Sequence, residues 1–223
     1  MVYIIYLCFA VPLALMLPLL QKQSRCLIGF MMLGATIAVS ASEINSVIQI
    51  FLNLSSLQVS LQAAPVTEEV MKAIPVLMYA ILVTDDRKKV LPLSMAVGIG
   101  FAILENTYIL ISNLQSVSVV WALIRGLSTS LTHGMCTFLV GCGIIFVRKQ
   151  KKLFYTGTFG LLAVAITFHA AFNLLVNSKW DVWGMMLPIV VYLAAQCIIR
   201  LKDGRKVGNS RKECAAKTVQ MRK

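Results

Sequence analysis

Apolar residues occur along this chain in long blocks, not at alternate positions and not as narrow stripes. Crossing about 30 Å of hydrocarbon takes about 20 residues of helix. Seven blocks approach that length, at about 2–20, 26–42, 64–84, 90–112, 118–147, 153–176 and 182–200. The pattern predicts an all-α protein, a polytopic membrane helix bundle of about seven transmembrane helices. A single helical domain is expected over residues 1–200, with a basic tail over 201–223. No Lys or Arg precedes the first block and basic residues follow it, so it reads as a retained helix and not as a signal peptide. The second block is short. Its continuation over 43–63 is spotted with polar residues and holds no Lys or Arg, which predicts an external loop with an interfacial helix.

Composition agrees. The chain is 58% apolar and 13% charged, with a mean hydropathy of +0.80. Soluble domains are roughly half apolar and about a quarter charged, so a soluble domain and a disordered chain are both excluded. The net charge of +12 changes the picture through its location. Segments 21–25, 85–89, 148–152 and 200–223 hold 18 of the 21 Lys and Arg residues, whereas 43–63, 113–117 and 177–181 hold only Lys179. The positive-inside rule then predicts an external amino terminus and a cytoplasmic carboxyl terminus. The basic surplus reads as a surface facing anionic lipid, not nucleic acid. The six cysteines show neither CxxC nor zinc-finger spacing, so no disulfide scaffold is expected.

Removing the loops leaves a short set of ionisable residues inside spans: Glu68, Glu69, Lys72, Glu105, Arg125, His133 and His169. A charge at the centre of a membrane helix costs roughly 2.5–3.5 kcal/mol even on insertion scales. These groups must therefore face one another or a wet cavity. Counted from the basic ends of their helices, Glu69, Glu105, His133 and His169 lie 14–16 residues in. At about 1.5 Å per residue all four sit roughly 21–24 Å deep, in one layer. Spacing adds to this. Lys72 can pair back to Glu68 or Glu69; Phe101 shares a face with Glu105, and His169 with Asn173; Arg125, Thr129 and His133 form an i, i+4, i+8 stripe. Gly98, Gly100, Gly126, Gly134 and Gly141 would let helices approach closely around the layer.

Several chemistries are absent. There is no HExxH and no aspartate pair within the spans, and RGLSTS (Arg125 to Ser130) lacks the glycine expected after an intramembrane serine nucleophile. Carboxylates and imidazoles remain, the set that activates a water. A glutamate would take its proton while histidines, with or without a metal, hold the water and the scissile carbonyl oxygen. Asn173, one turn from His169, could donate to an oxyanion. Lys72 and Arg125 read as counter-charges and Phe101 as a neighbour that packs. A proton- or ion-coupled carrier would also bury carboxylates and histidines, but carriers more often show internal repeats and interrupted midplane helices, and neither is evident here. A non-catalytic immunity or scaffold protein that retains such a site is the remaining alternative.

EEVMK (Glu68 to Lys72), FAILEN (Phe101 to Asn106), RGLSTSLTH (Arg125 to His133) and HAAFN (His169 to Asn173) occur once each, in order. Together they resemble the PrsW family of intramembrane proteases, part of the CPBP group that includes the CAAX prenyl endopeptidases. The resemblance spans about residues 64–176. It implies an intramembrane endopeptidase of glutamic or metalloprotease type, cutting a membrane protein or peptide near the outer leaflet. It makes Glu68 or Glu69 the general base, gives Glu105, His133 and His169 the attacking water or a metal such as zinc, and assigns Asn173 to the oxyanion. A metal-free glutamate mechanism fits the same residues. Where the broader group has a histidine at the second motif, this chain has Glu105, as PrsW-like members do. The implied substrate is an anti-sigma factor or another single-span protein, and the implied location is a bacterial cell membrane.

Overall fold

The computed structural model describes residues 2–113, 115, 117–198 and 200, so the basic tail predicted over 201–223 lies outside the described residues. Those residues form helices and no strand: α1 Val2–Met16, α2 Lys22–Phe51, α3 Ser56–Gln58, α4 Ala64–Leu82, α5 Arg87–Ser112, α6 Val119–Ile144, α7 Lys151–Val176 and α8 Asp181–Ile198. The chain divides into two compact units, Met1–Pro188 and Ile189–Lys223. The all-helical membrane bundle is as expected. Among the described residues six helices are long and apolar enough to cross a membrane, and α4, which carries Glu68, Glu69 and Lys72, is not one of them. It carries two glutamates and a lysine within five residues and lies against α2, α5, α6 and α7.

The largest departure from expectation is α2. Residues 43–51 are helical and not part of a loop, making α2 30 residues long, about 45 Å at the α-helical rise and so longer than the hydrocarbon is thick. Ser42, Asn45, Ser46 and Gln49 follow i, i+3, i+4, i+7 spacing, so their polar atoms face one side and leave the helix intact. The helix stops where Asn53 takes a left-handed φ of 50°. The amides of Leu54 and Asn53 then close back on the carbonyls of Gln49 and Ile50 at 3.0 and 3.4 Å, a Schellman ending for which asparagine is well suited. The next turn starts with a capping box between Ser55 and Gln58. It widens into a π turn over Val59–Ala63 just before Pro65, which has no amide hydrogen to continue the ladder.

Glycine sets the distances between helices. A Cβ on Gly98 would collide with the His133 backbone carbonyl, one on Gly34 with the Val97 carbonyl, and one on Gly100 with Met31. These contacts bring α5 against α6 and α2 at the depth of the predicted polar layer. Gly126, expected to share this role, has nothing within 4 Å of its Cβ position. It sits on a free face of α6. Towards the basic connections the interior is dry, with Val76, Ala80, Val90, Val97, Val140 and Ile144 in one buried cluster. Ser94, buried beside it, returns its hydroxyl to the Val90 carbonyl at 2.8 Å.

Gly98→Ala should therefore lower the thermal unfolding midpoint in detergent, with a cost of roughly 1–3 kcal/mol expected for overpacking a close contact. Gly126→Ala should leave that midpoint unchanged or raise it slightly.

Candidate active site

Four helices deliver the ionisable residues to one place. Glu69 and Lys72 are three residues apart on the inner face of α4, and Lys72 Nζ lies 2.6 Å from Glu69 Oε1, with both side chains fully buried. The ammonium also reaches His133 Nδ1 on α6 at 2.8 Å and sits 4.5 Å above the Phe101 ring of α5. An ammonium has only donors, so His133 Nδ1 must accept. Its Nε2 then carries the proton and donates to Glu105 Oε2 at 2.7 Å. On the other side of Glu69, His169 Nδ1 of α7 donates to the same Oε1 at 2.9 Å. The two imidazole rings meet edge to face, 4.7 Å between centroids. Residues up to 100 positions apart along the chain are thus joined in one continuous network, as the shared depth predicted.

Glu68 stands apart from that network. One residue along from Glu69, it is turned about 100° round the helix and does not share the lysine. Its Oε2 is buried without a hydrogen-bond partner and lies 3.8 Å from His169 Nε2. Because His169 gives its proton from Nδ1 to Glu69, Nε2 offers a lone pair. With His169 neutral and Glu68 ionised, two lone-pair atoms face each other at a distance too long for a hydrogen bond. Glu105 has Arg125 Nη2 at 3.8 Å, and Arg125 lies against the Trp121 ring at 5.4 Å. Three carboxylates share two cations, and Glu68 is the one left without a cation of its own among the described residues.

The site opens through a polar cleft of about 230 Å³, with Glu68, Glu105 and Phe101 on one side and Ser42, Asn45, Ser46 and Gln49 of α2 on the other. The α2 wall was missed in the sequence because its polar spots read as a loop; their helical spacing was the available signal. Asn45 Oδ1 accepts from the Thr67 hydroxyl at 2.6 Å, which ties that wall to α4 next to Glu68. Asn173 is one turn beyond His169, as spacing required, but one of its amide hydrogens is committed to the Ser60 carbonyl of the π turn at 2.9 Å.

A metal ion can be tested against these donors. Ligand atoms of Glu68, His133 and His169 lie within 4.8 Å of one another. Glu68 thus takes the place in this grouping that was expected of Glu105, whose carboxylate is occupied by His133. Atoms 3.8 Å apart, as Glu68 Oε2 and His169 Nε2 are, can both reach one zinc ion at the usual bond lengths of about 2.0–2.2 Å. His133 completes the set once Lys72 or Glu105 releases one of its nitrogens. The donor set therefore fits a metal.

Residues 22–199, most of the chain, match a family model described as PrsW family intramembrane metalloprotease. No curated protein and no solved structure matches the chain.

The buried Glu69–Lys72 pair makes a direct prediction. Lys72→Met strands a carboxylate in the interior and should cost about 3–5 kcal/mol of stability, the usual result of removing one partner of such a pair. Adding Glu69→Gln to Lys72→Met should restore part of that loss in thermal unfolding, because the second change removes the stranded charge.

Proposed function

The chain belongs to the PrsW family of intramembrane proteases, and from that premise we propose that it cuts a membrane protein or membrane-associated peptide at the floor of the cleft, with Glu68 as the base. The facing lone pairs of Glu68 Oε2 and His169 Nε2 carry this reading. Of the two adjacent glutamates, Glu68 borders the cleft, whereas Glu69 is fully buried with one oxygen held by both Lys72 and His169. A water between Glu68 and His169 would give its proton to Glu68 and attack the scissile carbonyl carbon. Glu68 then returns the proton to the leaving amine. Lys72 and Glu69 act as positioning residues: Glu69 keeps His169 in the tautomer whose Nε2 is free, and Lys72 sets the tautomer of His133. Asn173 has a second amide hydrogen for the oxyanion beside the one given to Ser60. A divalent metal such as zinc, held by Glu68, His133 and His169, would supply a Lewis acid and a more acidic water.

The orientation belongs to the same proposal. The cleft lies at the bundle end where α2 stops and α4 starts, the end whose connections are poor in Lys and Arg. Trp121, Trp180 and Trp183, the three tryptophans of the chain, stand at the ends of α6 and α8 that meet this side, as an interfacial aromatic belt would. The dry cluster around Val76 and Val140 closes the opposite side. We therefore place the cleft at the outer leaflet of a bacterial cell membrane, with the basic connections and tail against anionic cytoplasmic lipid. The substrate in this reading is a single-span protein such as an anti-sigma factor.

Glu68→Gln should abolish cleavage while the protein remains inserted and thermally stable. Membrane-protein fragments compared by mass spectrometry between cells expressing the wild-type chain and that variant should contain a set that depends on Glu68; identical fragment sets would end the hydrolase reading. A cysteine replacing Phe51, which is exposed at the end of α2, should react with an impermeant thiol reagent from outside intact cells. Reaction only after the cells are opened would invert the orientation.

A further inference from the structure

The matched family region begins at residue 22, so α1 lies outside it. This helix has no charged residue and is barely packed, with Ile5 its one buried residue. It nevertheless has a definite seat. Tyr6, Phe9 and Leu13 lie over the seam between α2 and α5, above a small apolar cavity of about 50 Å³ floored by Met31, Gly100 and Leu104. Leu104 also lines the polar cleft, which α1 borders through Val2. Leu104 thus stands between the apolar cavity under α1 and the cleft that holds Glu68 and Glu105.

Two hydrogen bonds fasten α1 there. Tyr3 donates to Glu43 Oε1 at 2.6 Å, and the Tyr6 hydroxyl meets Thr36 Oγ1 at 2.8 Å. Both partners are on α2. Below these contacts Pro12 interrupts the α1 hydrogen-bond ladder, which lets the upper part of the helix tilt. The backbones of α2 and α5 touch at Gly34 and Gly100, so the seam cannot part at that depth. It can widen only towards the cleft, under the half of α1 that carries the tyrosines.

We propose that α1 is a displaceable side gate occupying the position a substrate's membrane-spanning helix takes as it approaches the cleft; this rests on the hydrolase reading above. The occupant is a single, largely apolar helix because the cavity beneath the seat is apolar, with Thr36 and Glu43 as its polar contacts, and the seat is one helix wide and already holds one. Exchanging one uncharged helix for another costs little where neither hides much surface from lipid. The two tyrosine hydroxyls are the part that must be released.

The test bridges α1 to α2. Tyr6→Cys with Thr36→Cys, in a chain whose other cysteines outside buried Cys136 are replaced by alanine, is joined by a reducible bismaleimide in isolated membranes, and the Glu68-dependent fragments are followed. The proposal expects those fragments to be lost in the bridged chain and to return on reduction. Fragments that form undiminished while the bridge is intact overturn the gate alone. Fragments that never form, even in the unbridged chain, overturn the hydrolase reading beneath it. Tyr3→Phe with Tyr6→Phe supplies a second measurement free of reagents. It removes both latches without shortening either ring, so the fragments should persist or increase. Their loss would make α1 a required wall and overturn the gate.

Discussion

Charges inside a bilayer must be answered by other charges, because no bulk water is there to answer them. Lys72 is where this constraint is met. Its ammonium lies between Glu69, His133 and the face of Phe101, and is wholly shielded from solvent. That position sets the tautomer of His133 and, through Glu69, the free nitrogen of His169. The apparent charged defect in α4 thus organises the chemistry of α6 and α7. A buried ion pair is poor evidence of stability when compared with apolar residues of the same size. Its value here is orientation.

The arrangement leaves one carboxylate over. Glu69 shares Lys72, Glu105 has His133 and Arg125, and Glu68 faces an imidazole lone pair from 3.8 Å. That carboxylate lines the cleft. Glycine contacts bring α5 close to both α2 and α6, and the dry cluster near the basic connections prevents the polar layer from extending across the bundle.

Much of this was legible in the chain. Block length and hydropathy predicted the helices, because a backbone in hydrocarbon has to satisfy its own hydrogen bonds. The cost of intramembrane charge singled out Glu68, Glu69, Lys72, Glu105, Arg125, His133 and His169, and helix rise put the key members at one depth. The error over residues 43–51 has a physical cause as well. Ser42, Asn45, Ser46 and Gln49 lower the mean hydropathy as loop residues would, yet in a helix they gather on one face, and a window average discards direction. Gly126 fails for the converse reason: a glycine allows close approach without requiring that a partner be there.

Residue type and spacing along each helix were enough to say which groups cannot face lipid, since those depend on transfer cost and on a rise and turn that every α-helix shares. They could not say which glutamate takes the lysine, which imidazole nitrogen is left open, or that Glu68 has a ligand atom within 4.8 Å of those of both histidines. Those outcomes depend on the rotation of four helices about their own axes, where a change of about 100°, the angle between neighbouring residues, exchanges one carboxylate for the next. Contacts between helices set that rotation, and those contacts exist only once the chain has folded.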